Sequence, residues 1–332
     1  MRQIEIEWVG IGRKVTANLV EEKNPELCEL LWSSLPYNSI QNHALVSGDH
    51  LYHLAPMVKL VYAQPKTRED RTKSPYGTVF LSHLQHLAVK YGDLTEYLSA
   101  ASVGNVIPED IPTLKQAGLE IWDAVYRSKK VIEVRVTKKG EHVESFALPR
   151  PPKIQTRSVD ELVQQVHAET QRIWITPPEE ILDLHAGKIR SRAGSYDQYF
   201  ATLVFVNGED RPLGYCAMGG LVKCCFNSDI TLEALKQITP NFIKTPAEFL
   251  GYCGLDTLWE FVQRTLTVLK DVQTKDDYIT LMSTMSLYTN RLNGWNLHYF
   301  PWKHGDEYKF ETEKPVDFVP APPTKAPPAV RV

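Results

Sequence analysis

The 332-residue sequence lacks the short motifs that most often identify an activity. It has no G-x-G-x-x-G, so a dinucleotide-binding strand–helix unit is not indicated. It also has no Walker A loop, no H-E-x-x-H and no G-x-S-x-G. Motif spacing alone therefore does not specify a reaction.

Cysteine, charge of one sign and long apolar runs are scarce as well. Five cysteines occur without any C-x-x-C, which argues against a disulfide framework and a cysteine-based zinc site. A net charge of −3 gives no electrostatic footprint for nucleic acid or an anionic membrane. No apolar run approaches the ~18 residues of a membrane helix, and the charged start resembles a strand rather than a signal peptide. We therefore expect a cytoplasmic protein with neither nucleic-acid nor membrane partners.

Alternation of apolar and polar residues predicts that residues 1–148 consist mainly of strands. Alternating runs from Ile4 to Trp8 and from Val15 to Leu19 flank two glycines, which favours a hairpin. Further strands are expected at 39–47, 50–54, 59–63, 78–81, 87–91 and 131–136. Short strands, tight turns and few helices indicate a barrel or a sandwich.

Two other features interrupt this strand-rich half. A helix is expected at Pro25–Ser34, because Asn24 is a good N-cap and proline suits the first helical position. The segment Gln64–Tyr76 is too polar for a core and is expected to be a mobile surface loop.

The second half has helical periodicity. A proline-rich linker is expected at 149–157, a helical domain at 158–313 and a proline-rich disordered tail at 314–332. Predicted elements in the helical domain are capped helix starts at Ser158, Thr176 and Thr245, long helices at Leu255–Val272 and Asp276–Leu292, and one hairpin around Asn207-Gly208.

Histidines near a predicted turn are the first candidates for chemistry. His43, His50 and His53 fall close together and could exchange protons at neutral pH. The alternative is that they are ordinary half-exposed strand residues. His83 and His86 lie near another turn, where a structural role is the commoner one.

Several segments occur in an order that resembles a small cyclophilin-like bacterial family. They are Leu35-Pro36, the strand ending in Ser47-Gly48-Asp49, the strand Leu87–Gly92, the turn Gly104-Asn105-Val106 and the segment Leu114–Trp122. With a helical second domain of this size, the chain resembles the cucumopine and mikimopine synthases. These opine-forming enzymes are carried on Agrobacterium transferred DNA and occur in some plants that inherited it.

The resemblance implies an α+β fold, with an N-terminal cyclophilin-like closed β-barrel followed by a mainly helical C-terminal domain. It also implies an enzyme that condenses L-histidine with 2-oxoglutarate in the cytoplasm of a host plant cell. The amine forms an imine with the keto carbon, and a ring carbon then attacks it in a Pictet–Spengler closure. This closure consumes the imine without a hydride, so we expect no cofactor and no metal.

This chemistry sets requirements for the site. A base has to take the proton from the ring carbon, and an acid has to protonate the departing carbinolamine oxygen. The substrates carry three carboxylates, which favours cations and polar donors. The predicted proton-transfer residues are His43, His53 and Tyr91, and the predicted substrate-binding residues are Ser47, Lys59, Arg68 and Asn105.

The sequence leaves two questions open. The helical domain could cover the barrel mouth, contribute groups such as Lys223 or Arg291, or mediate self-association into a homo-oligomer. The barrel could also belong to a non-catalytic small-ligand-binding or scaffold protein, because fold does not fix function. A peptidyl-prolyl isomerase is disfavoured, since the sequence has no equivalent of an arginine followed by a phenylalanine-rich pocket strand.

Overall fold

Antiparallel strands dominate the first part of the chain in the computed structural model, which describes residues 1–189 and 199–307. The strands are β1 (Gln3–Trp8), β2 (Arg13–Leu19), β3 (Tyr37–Ile40), β4 (Asn42–His43), β5 (Gly48–Leu54), β6 (Glu69–Asp70), β7 (Thr78–Ser82), β8 (His86–Leu94), β9 (Ser99–Val106) and β10 (Glu133–Lys138). The predicted β1–β2 hairpin is confirmed, with Ile6 opposite Val15.

The sheet is a nearly closed barrel. Its strand order is β3-β10-β1-β2-β9-β7-β8-β5-β4, with β6 paired to β9. The first and last strands of this order, β3 and β4, are consecutive in the chain and separated only by Gln41, so one continuous segment brings the two edges together. The predicted α+β fold, a barrel followed by helices, is therefore confirmed.

Two helices belong to the barrel part. They are α1 (Pro25–Ser33) and α2 (Ile111–Asp123). Leu114, Ala117 and Ile121 on one face of α2 share the barrel core with the inward strand residues. Gly118 lies on the same helix against the ring of Tyr91, where a side-chain carbon would come within 2.6 Å of the ring.

Alternation along β5 and β8 divides their side chains between two faces. Leu51 and Val89 point into the barrel core. His50 and Tyr52, which alternate with Leu51, therefore lie on the outer face, and Lys90 opposite His50 lies there too. This outer face is buried by the segment that follows β5.

The covering segment consists of residues 58–76, and its structure shows that two predictions are wrong. Residues 59–63 are not a strand, because Val58–Val61 forms a 3₁₀ helix. Gln64–Tyr76 is not a loose polar loop, since it contains β6 and buries Arg71. Arg71 and Ser74 are buried in this segment, whereas Lys66, Arg68 and Lys73 are exposed.

The second part of the described chain is helical. Its helices are α3 (Arg157–Arg172), α4 (Glu179–His185), α5 (Tyr199–Arg211), α6 (Gly219–Cys224), α7 (Leu232–Tyr252), α8 (Asp256–Val268), α9 (Lys275–Tyr299) and α10 (His304–Glu307). Helix α9 is the central element, because nearly all its residues from Leu281 onward are buried. No helix among the described residues is long and apolar enough to cross a membrane.

Several helix starts differ from the predictions. Ser158 lies inside α3 and its hydroxyl donates to Asp271, while the N-cap position is Thr156, which makes no side-chain cap. Helix α4 likewise begins without one, after Pro178. Thr245 lies inside α7, and the true capping box of this domain joins Thr274 and Asp277.

Two further local predictions are wrong. Asn207-Gly208 is not a hairpin turn but part of α5. The side chain of Asn24 does not cap α1, because it bonds to Thr67 and to the Ser102 carbonyl. The predicted tail at 314–332 lies outside the described residues.

Candidate active site

An ion pair between Arg71 and Glu96 marks one end of the outer barrel face. Arg71 Nη2 donates to Glu96 Oε2 over 2.6 Å, and Ser47 Oγ donates to the same oxygen over 2.7 Å. The arginine side chain is 8% exposed and that of the glutamate 50%. The carboxylate is therefore fixed on one side and open to a ligand on the other.

Lys90 holds the segment that carries Arg71. Its buried ammonium donates to the carbonyls of Arg71 (3.1 Å), Thr72 (2.8 Å) and Ser74 (2.7 Å). All three of its N–H groups are thereby used, so Lys90 is a structural clamp and not a substrate-binding cation. This clamp explains why a polar segment packs closely on the sheet.

His50 lies behind the ion pair. Its Nε2 atom is buried and has no hydrogen-bond partner among the described residues. Burial, the Arg71 charge and His43 lower the pKa of His50 to about 3. The imidazole is consequently neutral at physiological pH, and its unpartnered nitrogen can form a hydrogen bond with a ligand.

The other end of the same face meets the helical domain. His86 Nε2 and the Tyr215 hydroxyl share a 2.8 Å hydrogen bond, and the His86 ring packs on Tyr52 with 4.7 Å between the ring centroids. Burial, then Arg211, lowers the pKa of His86 to about 3. His86 pairs across the sheet with Leu54, four residues beyond His50, so about 13 Å of strand separates the two ends.

The inner face of the barrel holds a second pair. His43 Nδ1 donates to the Ala44 carbonyl over 2.6 Å, which leaves Nε2 of the neutral ring to accept from the Tyr91 hydroxyl over 2.7 Å. Burial lowers the pKa of His43 and raises that of Tyr91, and the nearby Asp49 charge raises both. The structure thus brings together two of the predicted proton-transfer residues.

The third predicted proton-transfer residue, His53, lies deep in the barrel. Its Nε2 atom is 3.0 Å from the Tyr37 hydroxyl, and its side chain is only 1% exposed. Burial and the Arg291 charge lower its pKa to about 3. This environment suits a neutral structural histidine.

The predicted substrate-binding residues separate into two groups. Ser47 belongs to the Arg71–Glu96 end. Lys59 is exposed on the 3₁₀ helix, Arg68 is exposed on the covering segment, and Asn105 lies on β9 opposite Asn18. No hydrogen bond or ion pair joins these three to Glu96 within the described part of the chain.

Sequence reasoning missed Arg71, Glu96, Tyr215 and the placement of His50. Arg71 was hidden in a segment whose polarity resembles a surface loop, and Glu96 follows a strand among other polar residues. The available signal was a basic residue opposite an acidic one at the ends of neighbouring elements. Among residues 1–189 and 199–307, no three histidine, cysteine or carboxylate side chains come together as a metal site would require.

Comparisons with known proteins define the class of this two-domain molecule. Residues 159–299 match the cucumopine synthase C-terminal helical bundle domain. The resemblance to cucumopine synthases is therefore confirmed for the helical half. No curated protein sequence matches the chain.

A solved structure extends the comparison to nearly the whole chain. The structure of McbB in complex with tryptophan is 63% identical, covers 92% of this chain and 100% of its own, and superposes with a TM-score of 0.90. The chain belongs to the same family as McbB. The solution structure of the hypothetical protein AF2241 from Archaeoglobus fulgidus covers 41% of this chain and 94% of its own, at 14% identity and a TM-score of 0.30.

Proposed function

We propose that this protein is a Pictet–Spengler-type synthase that joins an amino acid carrying a nucleophilic ring to a small carbonyl compound. The full-length similarity to a protein crystallised with tryptophan carries the proposal. The cucumopine synthase-type helical domain supports the same reaction class. The outer barrel face supplies acid, base and cation side chains of the kind that this chemistry uses.

Tryptophan is the first amine substrate to consider. At 63% identity over the whole of McbB, the ligand of that structure is the best guide to the ligand of this chain. L-Histidine with 2-oxoglutarate is the second candidate pair, because the helical domain matches that of cucumopine synthase. Both amino acids place a ring carbon where it can close a six-membered ring on an imine.

The proposed reaction has four steps. The amine attacks the carbonyl carbon, and the resulting carbinolamine loses water to give the imine. The ring carbon then attacks the imine carbon, and the ring loses a proton to recover its aromaticity. We assign removal of this proton to Glu96, which is the accessible carboxylate of the site.

The other residues of the outer face have supporting roles in this proposal. Arg71 orients the Glu96 carboxylate through a charge-assisted hydrogen bond. His50 and His86, both neutral, orient the substrates through hydrogen bonds during imine formation. His43, His53 and Tyr91 remain candidates from the sequence, and Arg68, Lys59 and Asn105 remain candidate carboxylate ligands.

Cofactor independence and a cytoplasmic location also remain proposals.

A product assay tests the proposed function. Purified protein is incubated with L-tryptophan or L-histidine and each of a set of aldehydes and 2-oxo acids, without NAD(P)H or added metal. We expect a product whose mass is the sum of both substrates less one water. A product that forms only with NADH and carries two extra hydrogens contradicts the redox-neutral mechanism.

The same assay separates the synthase from a non-catalytic binding protein. A binding protein would bind tryptophan in calorimetry yet give no joined product with any carbonyl compound.

His43→Ala and His53→Ala test the inner-face candidates. Full activity and unchanged melting temperature in both variants would remove these two histidines from the mechanism.

A further inference from the structure

The domain interface buries an arginine that has no acidic partner. Arg291 on α9 is 0% exposed, and its guanidinium lies 3.9 Å over the ring of Trp174. Within the described residues it makes one hydrogen bond, from Nη2 to Ser39 Oγ over 2.7 Å, and no ion pair. Its Nε atom is buried and unpartnered. Burial lowers its pKa to about 9, which still leaves it charged at neutral pH.

Such an arrangement is costly for the folded protein. A buried cation without a counter-ion loses its hydration and regains little of that energy from one hydroxyl and one aromatic ring. Proteins retain costly groups of this kind mainly where function requires them.

Unpaired polar atoms also occur on α9 and on the barrel residues that face this helix. Asn42 Oδ1, Gln85 Nε2, Asn290 Oδ1 and Asn293 Oδ1 are all buried without a partner among the described residues. Gln85 directly precedes His86, and its side chain accepts a 3.4 Å hydrogen bond from Asn290. The cluster is therefore continuous with the His86–Tyr215 end of the candidate active site.

Gly294 brings the backbone of the helix close to the guanidinium. A side-chain carbon built at Gly294 would lie 3.8 Å from Arg291 Nη1, 3.8 Å from Ile40 and 3.9 Å from Asn42 Nδ2. The Arg291 guanidinium and the Asn42 amide therefore lie beside each other at this point of the interface. A guanidinium and an amide donor side by side suit a carboxylate.

We propose that Arg291, with Asn42, forms a carboxylate-binding subsite at the domain interface, where a substrate carboxylate supplies the missing counter-ion. This inference rests on the proposed function for the identity of the carboxylate. Either the amino acid or a 2-oxo acid could provide it, and the experiment distinguishes these two sources.

The test compares ligands with and without the carboxylate. Calorimetry measures binding of L-tryptophan against tryptamine, and of 2-oxoglutarate against its dimethyl ester, to the wild-type protein and to Arg291→Met and Arg291→Lys variants. We expect the methionine variant to bind one carboxylate ligand about tenfold more weakly or worse, with its carboxylate-free analogue unaffected. The ligand pair that is affected shows whether the amino acid or the 2-oxo acid supplies the carboxylate. Equal effects on both members of each pair, or no effect, overturn the proposal.

Stability measurements separate a binding role from a structural one. Methionine can keep the contact with Trp174 while removing the uncompensated charge, so the ligand-free Arg291→Met variant should melt no lower than the wild type. A lower melting temperature with unchanged affinities identifies a structural clamp and overturns the proposal. Gly294→Ala keeps the arginine and places a methyl group 3.8 Å from its Nη1 atom, so it should weaken binding of the same carboxylate ligand even if Arg291→Met does not fold.

Failure of this inference differs from failure of the proposed function. If the wild-type protein forms product and the variants bind carboxylates normally, the synthase stands and the subsite is wrong. If no substrate pair gives product but carboxylate affinity depends on Arg291, the subsite stands and the synthase is wrong.

Discussion

Arg71 and Glu96, 25 residues apart in the chain, meet across the end of the outer barrel face over 2.6 Å. The arginine is buried and the carboxylate is half exposed. A fully exposed pair of this kind contributes little to stability, whereas a buried arginine strongly needs its partner. The pairing therefore fixes the direction of the carboxylate and leaves its free side toward solvent or substrate.

Glu96→Gln tests the proposed base. Glutamine has nearly the same shape and can still accept from Arg71, but it cannot take a proton. We expect the rate of product formation to fall by roughly 10²–10⁴-fold with little change in substrate affinity. Steady-state kinetics by mass spectrometry measures this effect. Glu109→Gln, at an exposed glutamate outside the site, is the matched control, and equal activity in both variants would exclude Glu96 as the base.

Lys90→Met tests the clamp on the covering segment. Three carbonyls lose their donor, so the free energy of unfolding should fall by about 1–3 kcal/mol. Turnover should fall as well, because Arg71 loses its anchor. Denaturant titration and kinetics measure the two effects. Lys115→Met is the control, since Lys115 also lies over the Tyr76 ring but is exposed; a similar loss there would contradict the clamp.

Acid should destabilise the barrel through His53. Its folded-state pKa of about 3 lies below the ordinary value of 6.5, so the unfolded chain binds the proton more tightly. Its contribution to stability is complete above about pH 6.5 and is lost as the pH falls toward 3, at up to about 1.4 kcal/mol per pH unit. Denaturant titrations between pH 4 and 7 should show a shallower pH slope for His53→Gln than for the wild type. An unchanged slope would show that this histidine does not contribute.

Gly118→Ala tests the close packing of α2 on Tyr91. The added carbon would lie within 2.6 Å of the ring, so the ring or the helix must shift, which disturbs the hydrogen bond between Tyr91 and His43. Overpacking of this kind costs about 1–3 kcal/mol. Gly208→Ala is the control, because nothing lies within 4 Å of that position in α5, and alanine there should stabilise the helix by up to about 1 kcal/mol. Equal melting temperatures of the two variants would contradict the proposed packing.

Local patterns predicted the secondary structure well where the signal is itself local. The β1–β2 hairpin follows from strict alternation, and α9 follows from helical spacing with acidic residues in its first turn. Capping predictions failed where a distant partner competed. Ser158 gives its hydroxyl to Asp271, 113 residues away, and a capping-type sequence at Thr245 is absorbed into α7.

The candidate site was only partly predictable. Sequence reasoning selected Ser47, which donates to Glu96 at the outer face. It also selected His43 and Tyr91, whose Nε2 and hydroxyl atoms lie 2.7 Å apart but on the inner face. It could not select Arg71, because the polarity of its segment predicted a loose loop. Lys90 changes that outcome by supplying three donors from a strand 16 to 19 residues away.

The sequence by itself determined the β1–β2 hairpin and the change from a strand-rich half to a helical half, since alternation and periodicity depend only on the order of residues. Only the tertiary structure decided which face of the barrel carries the candidate site. His50 and His53 lie on one strand, and an odd spacing of three sends them to opposite faces. The covering segment, with Arg71, and the helical domain, with Tyr215, then pack over the outer face, and that packing depends on contacts that no local pattern contains.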